Sequence, residues 1–166
     1  MYFLTAIGQY IIFLKKIFSR LEGSKILFPK ILDEINDLGM SSIGFVSFIS
    51  IFVGAVVTLQ VAYNMENPLL PTYLIGLASR DSLILEFSPT MISLVLAGKI
   101  GSHIASSIGT MRVTEQIDAL EVMGINSASF LVFPKICATI FINPFLIILS
   151  IALGLVGGWL AGNITG

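Results

Sequence analysis

Ile43 to Tyr63 reads IGFVSFISIFVGAVVTLQVAY, 21 residues without a charge. A helix needs about 20 apolar residues to cross a hydrocarbon core of roughly 30 Å, so this stretch is long enough to span a membrane. Ile136 to Gly166, ICATIFINPFLIILSIALGLVGGWLAGNITG, gives a second such run, 31 uncharged residues reaching the C-terminus. Between them, Leu83 to Met111 is mostly apolar but carries Glu86, Lys99 and His103. It reads as a further span whose polar groups face protein or water. The whole chain agrees: of 166 residues, 55% are hydrophobic and 11% charged, and the mean hydropathy is +0.96, whereas soluble domains are about 25% charged. Spans at 43–63, 83–111 and 136–164 therefore predict an all-α integral membrane protein, a single domain over residues 1–166.

The same composition excludes several functions. Nine Lys and Arg against ten Asp and Glu leave a net charge of -1, which offers no basic surface for nucleic acid. Cys137 has no second cysteine to pair with, so neither an internal disulfide nor a Cys-based zinc site is possible. One His and a few scattered carboxylates supply no catalytic or metal-binding set. Gly98-Lys99 does not belong to a phosphate-binding loop, because Ser93 stands where that motif needs Gly and Ile100 where it needs Ser or Thr. The chain is expected to be non-enzymatic and to carry no cofactor.

Residues 1–39 read as interfacial amphipathic segments. Leu4, Ile7, Ile11, Leu14, Phe18 and Leu21 recur at helical spacing, with Lys15, Lys16 and Arg20 close by, the pattern of a helix lying in the membrane surface. A cleaved signal peptide would carry its charges before the apolar stretch and a small-residue cleavage site after it; neither is present. Pro29 predicts a break, followed by a short amphipathic stretch (Ile31, Leu32, Ile35 and Leu38 among Asp33, Glu34 and Asp37) that Gly39 ends. Lys15, Lys16, Arg20, Lys25 and Lys30 precede the first span, and Arg112 and Lys135 lie between the second and third. Basic residues concentrate on the untranslocated side, so the N-terminus and the 112–135 loop are expected to share it.

Small residues recur every fourth position on the second span, at Ala97, Gly101, Ala105 and Gly109 with Gly98 beside them, and on the third at Gly154, Gly158 and Gly162. Such rows let helices approach closely in lipid, either within the chain or between subunits. Asn143-Pro144 predicts a kink in the third span. Lys99 and His103, four residues apart, face the same way. They are candidates for a substrate path, or else Lys99 snorkels to a polar boundary and His103 bonds a neighbouring helix. The most informative polar stretch is Thr114 to Gly124, TEQIDALEVMG. Thr114 can cap a helix and Gly124 can end it. Glu115, Asp118 and Glu121 would form an acidic face beside an apolar stripe of Ile117, Leu120 and Met123. A membrane surface gives such an acidic face nothing, so a protein partner is expected there.

Leu94 to Ala138, and above all GTMRVTEQIDALEVMG at Gly109 to Gly124, resembles the signature region of MlaE-type permeases, the membrane subunits of ATP-binding-cassette lipid transporters in bacteria and plastids. The resemblance implies a homodimeric permease joined to two copies of a separate ATPase and to an MCE-type lipid-binding protein, with a membrane lipid as substrate. It implies that the helix at 114–124 seats on the ATPase, through Glu115, Gln116, Asp118, Ala119, Leu120, Glu121, Met123 and Gly124. Lys99 stands where many bacterial members carry Arg, and Ser107 where Glu is frequent. The family's permease has two further spans, so the chain reads as a C-terminally shortened form of a five-span permease. An ion or small-solute channel using Lys99, His103 and Glu86, or a non-transporting assembly protein, are the alternatives. Preference for Ile, Phe, Asn and Lys, with no transit peptide evident, favours a plastid envelope over a bacterial inner membrane.

Overall fold

The computed structural model describes residues 2–18, 24–65, 71 and 73–165. Leu21 and Arg20, used in the N-terminal reading, and the terminal Gly166 lie outside them. The elements are α1 (Tyr2–Phe18), α2 (Ser24–Asn64), α3 (Tyr73–Ser82), a π-helical turn (Leu83–Phe87), α4 (Ser88–Val113), α5 (Gln116–Val122) and α6 (Ser127–Thr165). No strand occurs among the described residues. Three stretches, Ile26–Asn64, Tyr73–Val113 and Ser127–Ile164, are long and apolar enough to cross a membrane. At 1.5 Å per residue each is roughly 60 Å long, about twice the hydrocarbon thickness.

Two expected breaks are absent, each for a local reason. Pro29 is the sixth residue of α2; it forfeits one hydrogen bond of the ladder, but its fixed φ is already helical and the helix continues through it. Gly39 does not end a helix; it is buried, and a Cβ there would collide with the Ile142 side chain, so this glycine serves a close packing contact. α6 runs as one helix through Pro144. The second long helix begins ten residues earlier than expected, at Tyr73, because the π-helical turn joins α3 to α4. There Ser88 N–H donates to Leu83 O, one residue beyond the α-helical partner. Widening the helix at this point accommodates Pro89, whose ring would otherwise strike the carbonyl four residues back.

The described chain divides into two compact units, residues 1–38 with 100–141 and residues 39–99 with 142–166. The first holds seven of the nine Lys and Arg and seven of the ten Asp and Glu. In it the C-terminal end of α1 docks on the start of α6: Ile17 is 1% exposed, Phe18 meets Phe133 edge-on at 5.9 Å, and Asn126 Nδ2 donates to Lys16 O at 3.0 Å. The rest of the expected α1 stripe, Leu4, Ile7 and Ile11, is exposed. Lys135 Nζ donates to Glu34 Oε1 at 2.6 Å in a nearly dry setting, the two side chains 4% and 15% exposed, while Lys30 Nζ lies 3.3 Å from the Phe130 ring centre. A buried pair of this kind holds α2 to α6 in one register, because loss of either partner strands a charge at a cost of about 3–5 kcal/mol.

The second unit is held by backbone proximity. A Cβ at Gly54 would lie 2.6 Å from the carbonyl carbon of Gly154, one at Gly157 would lie 2.9 Å from that of Ile51, and one at Gly158 would meet Thr58 Oγ1 at 2.5 Å. Glycines on both helices thus let α2 and α6 touch through their backbones, the packing mode that replaces the hydrophobic drive in lipid. Ser50 Oγ and Thr58 Oγ1 return their hydrogen bonds to Val46 O and Gly54 O four residues back, so the hydroxyls are satisfied without water. Outward, Phe48, Phe52, Phe145 and Ile148 are 63–69% exposed. Gly54→Leu should force α2 and α6 apart and cost about 1–3 kcal/mol, read as a lowered midpoint in thermal unfolding in detergent. Gly44→Leu, at a glycine with nothing within 4 Å among the described residues, should leave the midpoint unchanged.

Candidate functional site

The loop between α4 and α6 is built by three local devices. Thr114 does not start α5: its hydroxyl donates back to Thr110 O at 2.9 Å and so closes α4. Glu115 occupies the capping position in a left-handed conformation, φ 58°, with no side-chain cap, and its carbonyl accepts the Ala119 N–H at 3.0 Å. At the other end Gly124 has φ 78°. Its N–H donates to Glu121 O at 3.0 Å, and Ile125 N–H to Leu120 O at 3.1 Å. These paired reversals are the Schellman arrangement, in which glycine takes the left-handed position at no steric cost.

Side chains then brace α5 from both sides. Arg112 Nη1 donates to Asp118 Oδ1 at 2.5 Å, and Ser127 Oγ donates to Glu121 Oε1 at 2.9 Å. The acidic face is therefore engaged by its own loop, and Asp118 and Glu121 fix the angle at which α5 leaves α4 and meets α6. Ile117 and Leu120 are half-buried, whereas Gln116, Asp118, Ala119 and Glu121 are exposed. Val122 is 88% exposed, Met123 65% and Val113 84%. None of the seven residues of α5 is buried. The outward apolar contact of this helix is thus Val122 and Met123; the sequence stripe had named Met123 but passed over Val122.

Lys99 and His103 sit on α4 and both turn to α2. Lys99 Nζ donates to Ser41 O and, at 3.1 Å, to Ser42 Oγ, with the Phe45 ring centre 5.6 Å away. His103 Nε2 lies 3.2 Å from Asp37 Oδ2. The small-residue rows part company. Gly154 and Gly158 pack within the chain, but a Cβ at Gly98, Gly101 or Gly109 meets nothing within 4 Å among the described residues, and Ala97 and Ala105 are exposed. A Cβ at Gly162 likewise meets nothing within 4 Å among the described residues, and this glycine lines a cavity.

That cavity, about 750 Å3, lies between the C-terminal part of α2, α3 and the C-terminal part of α6. Thr58, Leu59, Ala62, Tyr63, Ser79, Arg80, Leu83, Leu155, Trp159 and Asn163 line it. Neither Lys99 nor His103 does. Sequence reading missed it because residues 64–82 looked like a loop, whereas α3 brings Ser79 and Arg80 onto a helix facing α2 and α6. A pairing of Tyr63 and Trp159 with Asn64 and Asn163, the composition of a membrane–water boundary, was the available signal.

Helices of this length and apolarity make the chain a multi-pass α-helical membrane protein. It belongs to the MlaE permease family: the family described as Permease MlaE matches residues 31–166. Among its relatives, a protein of Rickettsia bellii named "Probable ABC transporter permease protein" is 34% identical over 157 residues, 95% of this chain and 60% of that protein. A similarly named protein of Synechocystis is 38% identical over 76% of this chain and 48% of its own length. The "Intermembrane phospholipid transport system permease protein MlaE" of Haemophilus influenzae is 31% identical over 81% and 51% respectively. The chain thus spans about half to three-fifths of the curated relatives it matches.

Left-handed backbone at Glu115 gives a direct check of the loop. Left-handed geometry costs a non-glycine residue roughly 1–2 kcal/mol, and more when it is β-branched. Glu115→Gly should therefore preserve or raise resistance of the loop to limited proteolysis, and Glu115→Val should lower it, with cleavage after Arg112 as the readout.

Proposed function

We propose that the chain is the membrane permease subunit of an ATP-binding-cassette transporter that moves phospholipid or glycerolipid, with ATP hydrolysis in a separate subunit. The observation that carries the reading is α5 itself, a helix with no buried residue, braced by Arg112–Asp118 and Glu121–Ser127 and presenting Val122 and Met123 outward. A short rigid helix fixed at both ends transmits a push to α4 and α6, and exposed apolar residues beside acidic ones suit a protein surface better than water or anionic lipid. In this reading Glu115, Gln116, Asp118, Ala119, Leu120, Glu121, Met123 and Gly124 form the coupling element, and Val122 joins them.

The names of the relatives support an ABC permease, and the name of the Haemophilus relative supports phospholipid. An MCE-type lipid-binding protein completes the assembly. The unfilled face of α4 at Ala97, Gly98, Gly101, Ala105 and Gly109 suits a second copy of the chain, since small residues in lipid need a close partner to gain packing energy. Lys99 and His103 act in this scheme as ties from α4 to α2, which favours the transporter over an ion pore built on them. The host membrane is a plastid envelope, with a bacterial inner membrane as the alternative.

Affinity purification of the chain from its native membrane in mild detergent tests the reading. An ATPase should co-purify, and Val122→Asp with Met123→Asp should abolish its recovery while leaving helicity unchanged, because neither side chain is buried. Recovery of intact chain without an ATPase overturns the proposal. Cross-linking at a cysteine placed at Gly101 should yield a dimer, and Gly101→Leu should suppress it; a monomer in both cases removes the second copy from the scheme.

A further inference from the structure

We infer that the cavity at the ends of α2, α3 and α6 is a binding site for one uncharged, hydroxyl-bearing glycerolipid, and that it discriminates against anionic phospholipid. The observation that points to a ligand is Ser79. Its side chain is 4% exposed, its residue lines the cavity, and its Oγ has no hydrogen-bond partner among the described residues. A helical serine in an apolar setting ordinarily returns its proton to the carbonyl four residues back, as Ser50 does in α2. A buried hydroxyl left unmatched carries a desolvation cost that a ligand oxygen would relieve.

The chemistry of the other groups selects the head. Thr58 Oγ1 already gives its proton to Gly54 O at 3.0 Å, so towards the cavity it can only accept, and it needs a ligand that donates. A phosphodiester has no such proton; a glycerol or sugar hydroxyl has. Arg80 is the one cation among the described residues that line the cavity, but its Nε and Nη2 both donate to Asp81 Oδ1, at 3.0 and 2.8 Å. The pair is electrically neutral, so Asp81 offsets part of the attraction that Arg80 would offer an anionic head. Trp159 and Tyr63 lie at the rim, 68% and 76% exposed, and offer flat faces to a ring or to glycerol carbons, while Leu59, Leu83 and Leu155 receive an acyl chain. A volume of about 750 Å3 falls within the roughly 300–1,000 Å3 of small-molecule sites.

This inference deepens the lipid-permease reading and its bearing on transport rests on it, but its test needs no ATPase, so the two can fail separately. Trp159 is the chain's single tryptophan, which makes its fluorescence a reporter of the cavity. The full chain in detergent micelles would be titrated with monohexosyl diacylglycerol, diacylglycerol or phosphatidylmethanol, an anionic phosphodiester without a hydroxyl, each brominated on one acyl chain. Saturable quenching at low mole fraction is expected with the first two, and at least several-fold weaker binding with phosphatidylmethanol. Ser79→Ala should weaken the neutral lipids by roughly three- to tenfold, the equivalent of one hydrogen bond. Gly76→Leu, at a cavity glycine with nothing within 4 Å among the described residues, should block entry without disturbing a helix contact. Quenching that rises linearly with mole fraction, equal affinity for neutral and anionic lipids, or no response to either variant would overturn the proposal. If ATPase recovery fails while this binding holds, the lipid site stands and the transporter falls.

Discussion

The contact of α2 with α6 through Gly54, Gly154, Gly157 and Gly158 is the constraint on which the apolar part of the protein depends. Where lipid surrounds the helices, burying leucine against leucine gains little over leaving it in hydrocarbon, so association rests on close van der Waals fit. Backbone contact between helices needs a missing Cβ on at least one side: Gly157 lies against the Ile51 backbone, and at Gly54 and Gly154 both helices lack one. Along this contact Ser50 and Thr58 donate to carbonyls of their own helix, Val46 O and Gly54 O. Large side chains such as Phe48 and Phe145 are left pointing away from the contact.

Charge obeys a different logic in the other unit. Lys135 and Glu34 pair almost without solvent, a geometry that is costly to disrupt and therefore specific in register. Arg112 and Asp118 pair in the open, 63% and 54% exposed, where the same chemistry is worth at most about 1 kcal/mol. The first pair fixes which turns of α2 and α6 face each other; the second orients a short helix that backbone geometry at Glu115 and Gly124 has already delimited. Rigidity of α5 thus comes from its ends, and its exposed face stays available for contact with another molecule.

Polar groups in the apolar unit are matched unevenly: Asn143 Oδ1, Ser150 Oγ and Ser79 Oγ lack a partner among the described residues, and of these only Ser79 lines the cavity. Hydroxyls at 50 and 58 are internally matched and Lys99 is bound to Ser41 and Ser42. Ser79, in contrast, faces a space large enough for a guest. Its neighbours are one neutralised cation, two aromatic rings and aliphatic side chains, a set that suits an amphiphile whose head is polar without being charged.

How much of this was written in the chain follows from the range of each interaction. Uncharged runs at 43–63 and from 136 onward determined spans, because the hydrocarbon thickness sets a length that any reader of hydropathy can count. Gly124 announced a helix end, since left-handed backbone is a single-residue property. Pro29 and Gly39 misled for the same reason: each is a local breaker, but Pro29 costs α2 a single hydrogen bond and Gly39 was needed for close packing against Ile142, a residue 103 positions away. Nor could periodicity tell the two glycine rows apart, since a row filled by a neighbouring helix and a row left open have the same spacing. Thr114 and Glu115 exchanged roles because a threonine hydroxyl can cap either helix end, and only the turn's closure decides. The cavity was illegible altogether. Its lining comes from three separate helices, and a space between side chains exists only once the tertiary structure has set their distance.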